Sequence, residues 1–251
     1  MQETQTAAVA IEGLTKDFGD VRAVDGLTLT IPRGEVFGLL GPNGSGKTTT
    51  INCLTGLLAP TSGRVSVGGF DVKTRGDEAR RITGVSPQET AVYPFLTGRE
   101  NIELFGELQS VPRKTLDERS DYVIEKVGLM EEAGRRVGKC SGGMKRRVSI
   151  AMALVSDPKV VLLDEPTVGM DPQARRAVWD FVLDLRDKGK TVVITTHYME
   201  EAQELCDEVG IIDHGKLMAL GSPDALKARY GAEDLEDVFI QLTGRTIREG
   251  A

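Results

Sequence analysis

Gly41-Pro42-Asn43-Gly44-Ser45-Gly46-Lys47-Thr48 decides how the rest of this chain is read. It fits G-x-x-x-x-G-K-[ST], with the apolar run Val36 to Leu40 before it and a helical pattern from Thr49 onward. Strand, glycine loop and helix is the order a phosphate-binding loop requires. Glycines let the backbone curl so that successive N–H groups converge on an anion, and the helix N-terminus adds partial positive charge. In such a loop Lys47 reaches the β- and γ-phosphates of a nucleotide, and the Thr48 hydroxyl holds Mg²⁺. A plain glycine turn between strand and helix is the competing reading. The loop does not say what the nucleotide is used for.

The 251 residues allow one large α/β domain or a core with a subdomain. Hydrophobic residues at 40% and charged residues at 27% are ordinary globular values, so a disordered chain is excluded. A net charge of −7 argues against a nucleic-acid partner, which calls for a basic face. No apolar run approaches the length that crosses a bilayer. Met1 to Val9 lacks the charged-then-apolar pattern of a signal peptide. Cys53, Cys140 and Cys206 form an odd set without metal spacing, consistent with a reducing cytosol. His197 and His214 are too few for a metal cluster.

Short apolar runs recur at Val36–Leu40, Val160–Leu163, Val192–Thr195 and Val209–Ile212. They are nearly continuous, as parallel strands covered on both faces are, and helical patterns lie between them. The expected core is therefore doubly wound α/β. Val9–Leu14 and Leu27–Ile31 alternate, which predicts antiparallel strands at one side. From Glu89 to Val155 strand signals stop. Thr97-Gly98-Arg99-Glu100 is a capping box, and Ile102, Phe105 and Leu108 supply an apolar stripe behind it. Leu116 to Val127 reads as a second helix, and Ser141 as the cap of a third. This stretch is expected to be an inserted helical subdomain. Leu235, Val238, Phe239 and Leu242 predict a C-terminal amphipathic helix, packed on its own domain or facing a partner.

Two further segments carry chemistry. Val160 to Leu163 delivers Asp164 and Glu165 at a strand end, where ligands of open α/β sheets bind. Asp164 suits a Mg²⁺ partner, and Glu165 suits a base that polarises an attacking water. The alternative is a solvated acidic turn before Pro166. Ser141-Gly142-Gly143-Met144-Lys145-Arg146-Arg147 opens a helix with a hydroxyl cap and two glycines. Three cations there oppose the helix dipole, a conflict that a bound phosphate would relieve.

Together these residues resemble the nucleotide-binding subunit of an ATP-binding cassette (ABC) transporter, over roughly Val9 to Gly244. The parts stand in the family's order: loop 41–48, Gln88 after a strand, Ser141-Gly142-Gly143, Asp164-Glu165, Asp171 and His197. The resemblance implies a P-loop NTPase (RecA-like) core with an antiparallel β edge and an inserted helical subdomain. It divides the chain into core at about 1–88 and 156–222, helical subdomain at about 89–155, and helical tail at 223–251.

By position, the resemblance makes Gln88 the glutamine that touches Mg²⁺ and the attacking water. His197 is then the γ-phosphate switch, and Phe18 the aromatic that stacks on adenine. ATP is implied as the nucleotide, held by Phe18, by Gly41 through Thr48 and by Thr49. Thr48, Gln88 and Asp164 are implied as metal contacts. Without the family, Phe18 reads as a core or loop aromatic and His197 as a strand-end histidine.

The resemblance also implies a second cassette subunit, identical or similar. Ser141, Gly142 and Gly143 of one copy would contact the ATP held by the loop of the other, with Asp171 along the interface. Cys140 and Met144 depart from the family's commoner leucine or tyrosine and glutamine; Met170 replaces a common leucine.

Ser141–Arg147, Tyr93–Asn101 and Leu235–Ile240 look like the exporter branch, whose ATPases work with separate integral membrane permease subunits. Location on the cytoplasmic face of the membrane is implied by that. Ala91, Val92, Tyr93 and Pro94 are candidates for the permease contact, with a buried Tyr93 as the competing reading. A soluble cassette ATPase acting outside transport is the alternative function. A P-loop kinase or GTPase explains neither Ser141-Gly142-Gly143 nor the missing Asn-Lys-x-Asp element.

Overall fold

The computed structural model describes residues 7–244. The alternating N-terminal segments form β1 (Val9–Phe18) and β2 (Val21–Ile31), an antiparallel hairpin. Val9, Ile11, Leu14, Leu27, Leu29 and Ile31 are buried; the alternation has a period of two except between Ile11 and Leu14, where the register shifts. Next come β3 (Val36–Leu40) and α1 (Lys47–Leu54). β4 (Ser62–Val67) and β5 (Phe70–Asp71) complete an antiparallel sheet of order β2-β1-β4-β5.

After α2 (Gly76–Arg81) and β6 (Thr83–Ser86), the chain makes helices only, until β7. These are α3 (Gly98–Leu108), α4 (Arg113–Lys126), a 3₁₀ turn at Val137–Lys139 and α5 (Gly142–Leu154). β7 (Val160–Asp164), α6 (Pro172–Asp187), β8 (Thr191–Thr196), α7 (Met199–Leu205), β9 (Glu208–Asp213) and β10 (Lys216–Gly221) come next. Two short helices, α8 (Pro223–Tyr230) and α9 (Leu235–Thr243), end the described chain.

The second sheet has the order β10-β9-β3-β8-β7-β6, parallel except for β10. Each parallel strand feeds both faces. In β3, Phe37 and Leu39 enter the core between the two sheets, while Val36 and Leu40 enter the core beneath the helices. That second core runs on into the inserted helices through Ile102, Val123 and Val148. Burial on both faces explains why the runs are continuous in sequence.

The capping box is present: Thr97 Oγ1 accepts from the Glu100 N–H, and Glu100 Oε2 accepts from the Thr97 N–H at 2.7 Å. The expected α3 stripe needs correction. Ile102 is fully buried and Phe105 partly so, but Leu108 is 66% exposed. The packed face runs instead through Gly98, Asn101, Ile102 and Gly106. A Cβ on Gly106 would come within 2.3 Å of Leu116 Cδ1, so the helices touch backbone to side chain there. α9 packs Leu235, Val238 and Phe239 into the chain's own core, with Leu242 against it.

β6 and α5 approach just as closely, since a Cβ at Gly84 would lie 2.0 Å from the Ala153 carbonyl oxygen. Backbone on both sides leaves nothing flexible to yield. Gly84→Ala is expected to cost about 3 kcal/mol by overpacking, against about 1 kcal/mol for removing the α3 cap in Thr97→Ala. Denaturant midpoints of the two variants check the ordering.

Candidate functional site

The parallel register brings three loops to one edge. Leu40 pairs with Thr196, and Asp164 pairs with Thr195, so β3, β7 and β8 end together. The chain leaves β3 into the glycine loop, β7 into Glu165 and β8 into His197. Their side chains converge because the strands run in parallel.

The loop itself is shaped by exclusion. A Cβ on Gly46, at φ 105°, would meet the Ala23 carbonyl oxygen at 2.4 Å, and one on Gly41 the Ile212 carbonyl oxygen at 2.2 Å. Only glycine lets the chain pass there. α1 starts without a side-chain cap and with no acid in its first turn. Its free N–H groups therefore keep their positive potential for an incoming anion. Ser45 Oγ, buried at the loop, has no hydrogen-bond partner. Converging amides and an unpaired hydroxyl fit a phosphate group.

Lys47, Asp164 and Glu165 are each 5% exposed or less. The Lys47 ammonium donates to the Gly41 and Pro42 carbonyls at 2.8 and 3.0 Å and lies 3.4 Å from Glu165 Oε1. Glu165 also meets His197 Nδ1 at 3.3 Å and accepts from Gln88 Nε2 at 3.3 Å. The Thr48 hydroxyl donates to Gln88 Oε1 at 3.3 Å. Loop, glutamine, glutamate and histidine thus form one connected group.

The adjacent acids are pushed apart in acidity. Burial raises the Asp164 carboxyl, against the opposing hydrogen bond from Thr195. Burial also pushes Glu165 up, yet His197 and Lys47 together outweigh it and hold that group below its ordinary range. Lys47 falls through burial, partly offset by Glu165. Glu165 is therefore ionised at neutral pH and able to accept a proton or a hydrogen bond.

A cleft of ≈ 400 Å³ joins Phe18, Asn43, Gly44, Gly46, Lys47, Thr48, Thr49, Gln88 and Glu165. Phe18 is 46% exposed at the end of β1, which sets aside the core-aromatic reading, and the Lys16 ammonium lies 5.0 Å from its ring centre. Ser141, Gly142 and Gly143 line no part of this cleft. Ser141 caps α5, accepting from the Met144 N–H, and its hydroxyl end of the helix is exposed. Met144 packs against the core. Asp171 caps α6 by accepting from the Ala174 N–H at 2.9 Å. Tyr93 is 51% exposed, so the buried reading of that residue is corrected.

Sequence reasoning missed two residues that hold this site together, Thr195 and Glu201, and misplaced a third: Arg146, read as one of three cations facing a phosphate at the helix start, is buried against backbone carbonyls instead. Thr195 Oγ1 accepts from the Glu165 N–H at 3.0 Å and donates to Asp164. Glu201 on α7 accepts from Thr167 and Trp179, tying the segment after Glu165 to the helix after His197. Arg146 on α5 donates to the carbonyls of Pro87 and Gln88. Thr195 and Glu201 gave no signal, and Arg146 signalled a phosphate rather than a backbone contact, because their partners are remote in sequence.

Comparison with known proteins agrees with this geometry. The family model described as ABC transporter matches residues 24–168. The chain is 42% identical to the linearmycin resistance ATP-binding protein LnrL of Bacillus subtilis (strain 168), over 95% of this chain and 75% of that protein. It is 43% identical to the Nod factor export ATP-binding protein I of Rhizobium sp. (strain N33), over 92% of this chain and 76% of that protein. Among solved structures, a dimeric ATP-binding cassette in a post-hydrolysis state bound to ADP and Pi superposes with TM-score 0.79 at 28% identity, over 85% of this chain and 98% of that one. With that breadth of match, and a phosphate loop whose lysine sits against an ionised glutamate, the chain belongs to the ABC transporter family as one of its ATP-binding, ATP-hydrolysing cassettes.

Proposed function

We propose that the chain powers export through separate integral membrane permease subunits, in a pair of cassettes on the cytoplasmic face of the membrane. Residues 1–244 act as one cassette, with core at about 1–88 and 156–222 and a helical subdomain at about 89–155, and 223–251 as a helical tail; 1–6 and 245–251 of these spans lie outside the described residues. Support comes from relatives named for resistance and for Nod factor export. Among the described residues no helix is long and apolar enough to cross a membrane. The exposed Tyr93 and Phe95, 51% and 82%, lie a few residues past Gln88 and offer apolar surface to a permease.

The connected group Thr48–Gln88–Glu165–His197 around Lys47 carries the reading of the chemistry. Lys47 binds the β- and γ-phosphates by exchanging Glu165 for phosphate oxygens. Phe18 stacks on the adenine, and the loop amides from Gly41 to Thr49 hold the phosphates. Among the described residues no three His, Cys, Asp or Glu side chains form a metal site by themselves. Thr48, Gln88 and Asp164, together with the nucleotide, would hold Mg²⁺, which would supply positive charge to offset that of the phosphates. Glu165 orients and deprotonates water, Gln88 positions it, and His197 reports the γ-phosphate to the β8–α7 corner.

Ser141, Gly142 and Gly143 line no part of this cleft, which supports a nucleotide left open on one side by a single chain. A second cassette, identical or similar, supplies the missing surface. Closure on ATP and opening after hydrolysis is a rigid-body switch.

Lys47→Ala is expected to abolish ATP hydrolysis; a pure variant that retains substantial phosphate release contradicts the loop assignment. Glu165→Gln is expected to bind ATP while losing roughly 10²–10⁴-fold in turnover. It should accumulate a nucleotide-bound dimer on gel filtration, and normal turnover would remove Glu165 from its role. Coexpression with integral membrane proteins encoded by neighbouring genes, then detergent extraction, tests the partner: the cassette should co-purify with one of them, and purification free of all of them contradicts the permease reading.

A further inference from the structure

Arg146 is a buried charge to which the chemistry of the nucleotide cleft assigns no task. It is 6% exposed on the second turn of α5. Among the described residues no carboxylate forms an ion pair with it; Asp164 and Glu165 act on it only at longer range. Burying a guanidinium this way is costly unless its donors are used. They are used on backbone: Nη1 donates to the Pro87 carbonyl at 2.6 Å and Nη2 to the Gln88 carbonyl at 2.5 Å.

Those carbonyls belong to the segment after β6 that has no regular structure. Its far end is held by Asn101, which accepts from the Tyr93 N–H at 2.7 Å and donates to the Tyr93 carbonyl at 3.1 Å. Its near end is held by Arg146. The Gln88 side chain then reaches Thr48 Oγ1 and Glu165 Oε2, both at 3.3 Å. In the other direction, Arg146 sits on the same helix as Ser141 and Gly142, about 6 Å along the axis from the exposed first turn.

We propose that Arg146 is a positioning residue that couples the seating of the partner cassette's nucleotide on the α5 tip to the placement of Gln88 beside Glu165. A helix is stiff over that distance, so a shift of its tip moves the guanidinium. The two charge-assisted bonds carry that shift to the Gln88 backbone. The inference rests on the paired-cassette reading. Its distinguishing consequence is that Arg146 affects turnover and closure, not the first binding of ATP, because Arg146 touches no residue of the loop.

The test uses the full chain and three substitutions. Arg146→Met keeps length and removes the donors, Arg146→Gln restores one amide donor, and Arg146→Lys keeps the charge with different geometry. Affinity is read with a fluorescent ATP analogue, turnover by phosphate release, and closure by gel filtration in the Glu165→Gln background.

Arg146→Met is expected to bind the analogue within about threefold of the parent, yet to lose roughly 10–100-fold in kcat, the scale of a misplaced catalytic group. It should also yield little closed dimer. Arg146→Gln should recover a large part of the lost kcat.

Arg146→Met with kcat within twofold of the parent overturns the proposal, as does affinity falling in step with kcat. Should Arg146→Met not fold, Arg146→Gln and Arg146→Lys decide it by the same split between affinity and kcat. If Glu165→Gln alone never dimerises with ATP, the paired-cassette reading fails; if it dimerises equally well with Arg146→Met added, only the coupling role of Arg146 fails.

Discussion

The parallel pairing of β3, β7 and β8 is the constraint on which the site depends. Leu40, Asp164 and Thr196 reach the same edge because Leu40 is in register with Thr196 and Asp164 with Thr195. A slip of one residue in either pairing would turn these side chains to the other face of the sheet. Register is well specified here, since β3, β7 and β8 are buried at every position. Apolar packing thus sets the geometry of a polar site.

Holding the site together has a cost. Three ionisable groups are nearly excluded from water at one place, and Glu165 adopts φ 50°, a left-handed conformation that costs a non-glycine residue about 1–2 kcal/mol. The offset is local. Thr195 accepts from the Glu165 N–H and donates to Asp164, while Lys47 and His197 meet the Glu165 carboxylate. Each charge has a partner that a nucleotide or metal could displace without leaving it bare. Strain and burial are retained where chemistry uses them.

The inserted helices join this site to the exposed end of α5. Asn101 and Arg146 fasten opposite ends of the segment that contains Gln88, one from α3 and one from α5. Movement of the helices relative to the parallel sheet therefore reaches Gln88 before it reaches the phosphate loop.

Local pattern in the sequence was enough for the strands at Val36–Leu40 and Val160–Leu163, the Thr97 capping box, the Ser141 cap and the strand–loop–helix order around Gly41–Thr48. Each rests on neighbours in the chain, so spacing and residue type suffice. The family resemblance supplied Gln88, His197 and Phe18, which periodicity alone left as ordinary residues. Tertiary structure decided the rest. Leu108 faces water because the packed face of α3 runs through Gly98, Asn101, Ile102 and Gly106, and Tyr93 is exposed although it is aromatic. Thr195, Glu201 and Arg146 acquired their roles from partners between 22 and 59 residues away. No local rule reaches that far: a hydrogen bond across the fold depends on where packing brings two backbones, and packing is a property of the whole chain.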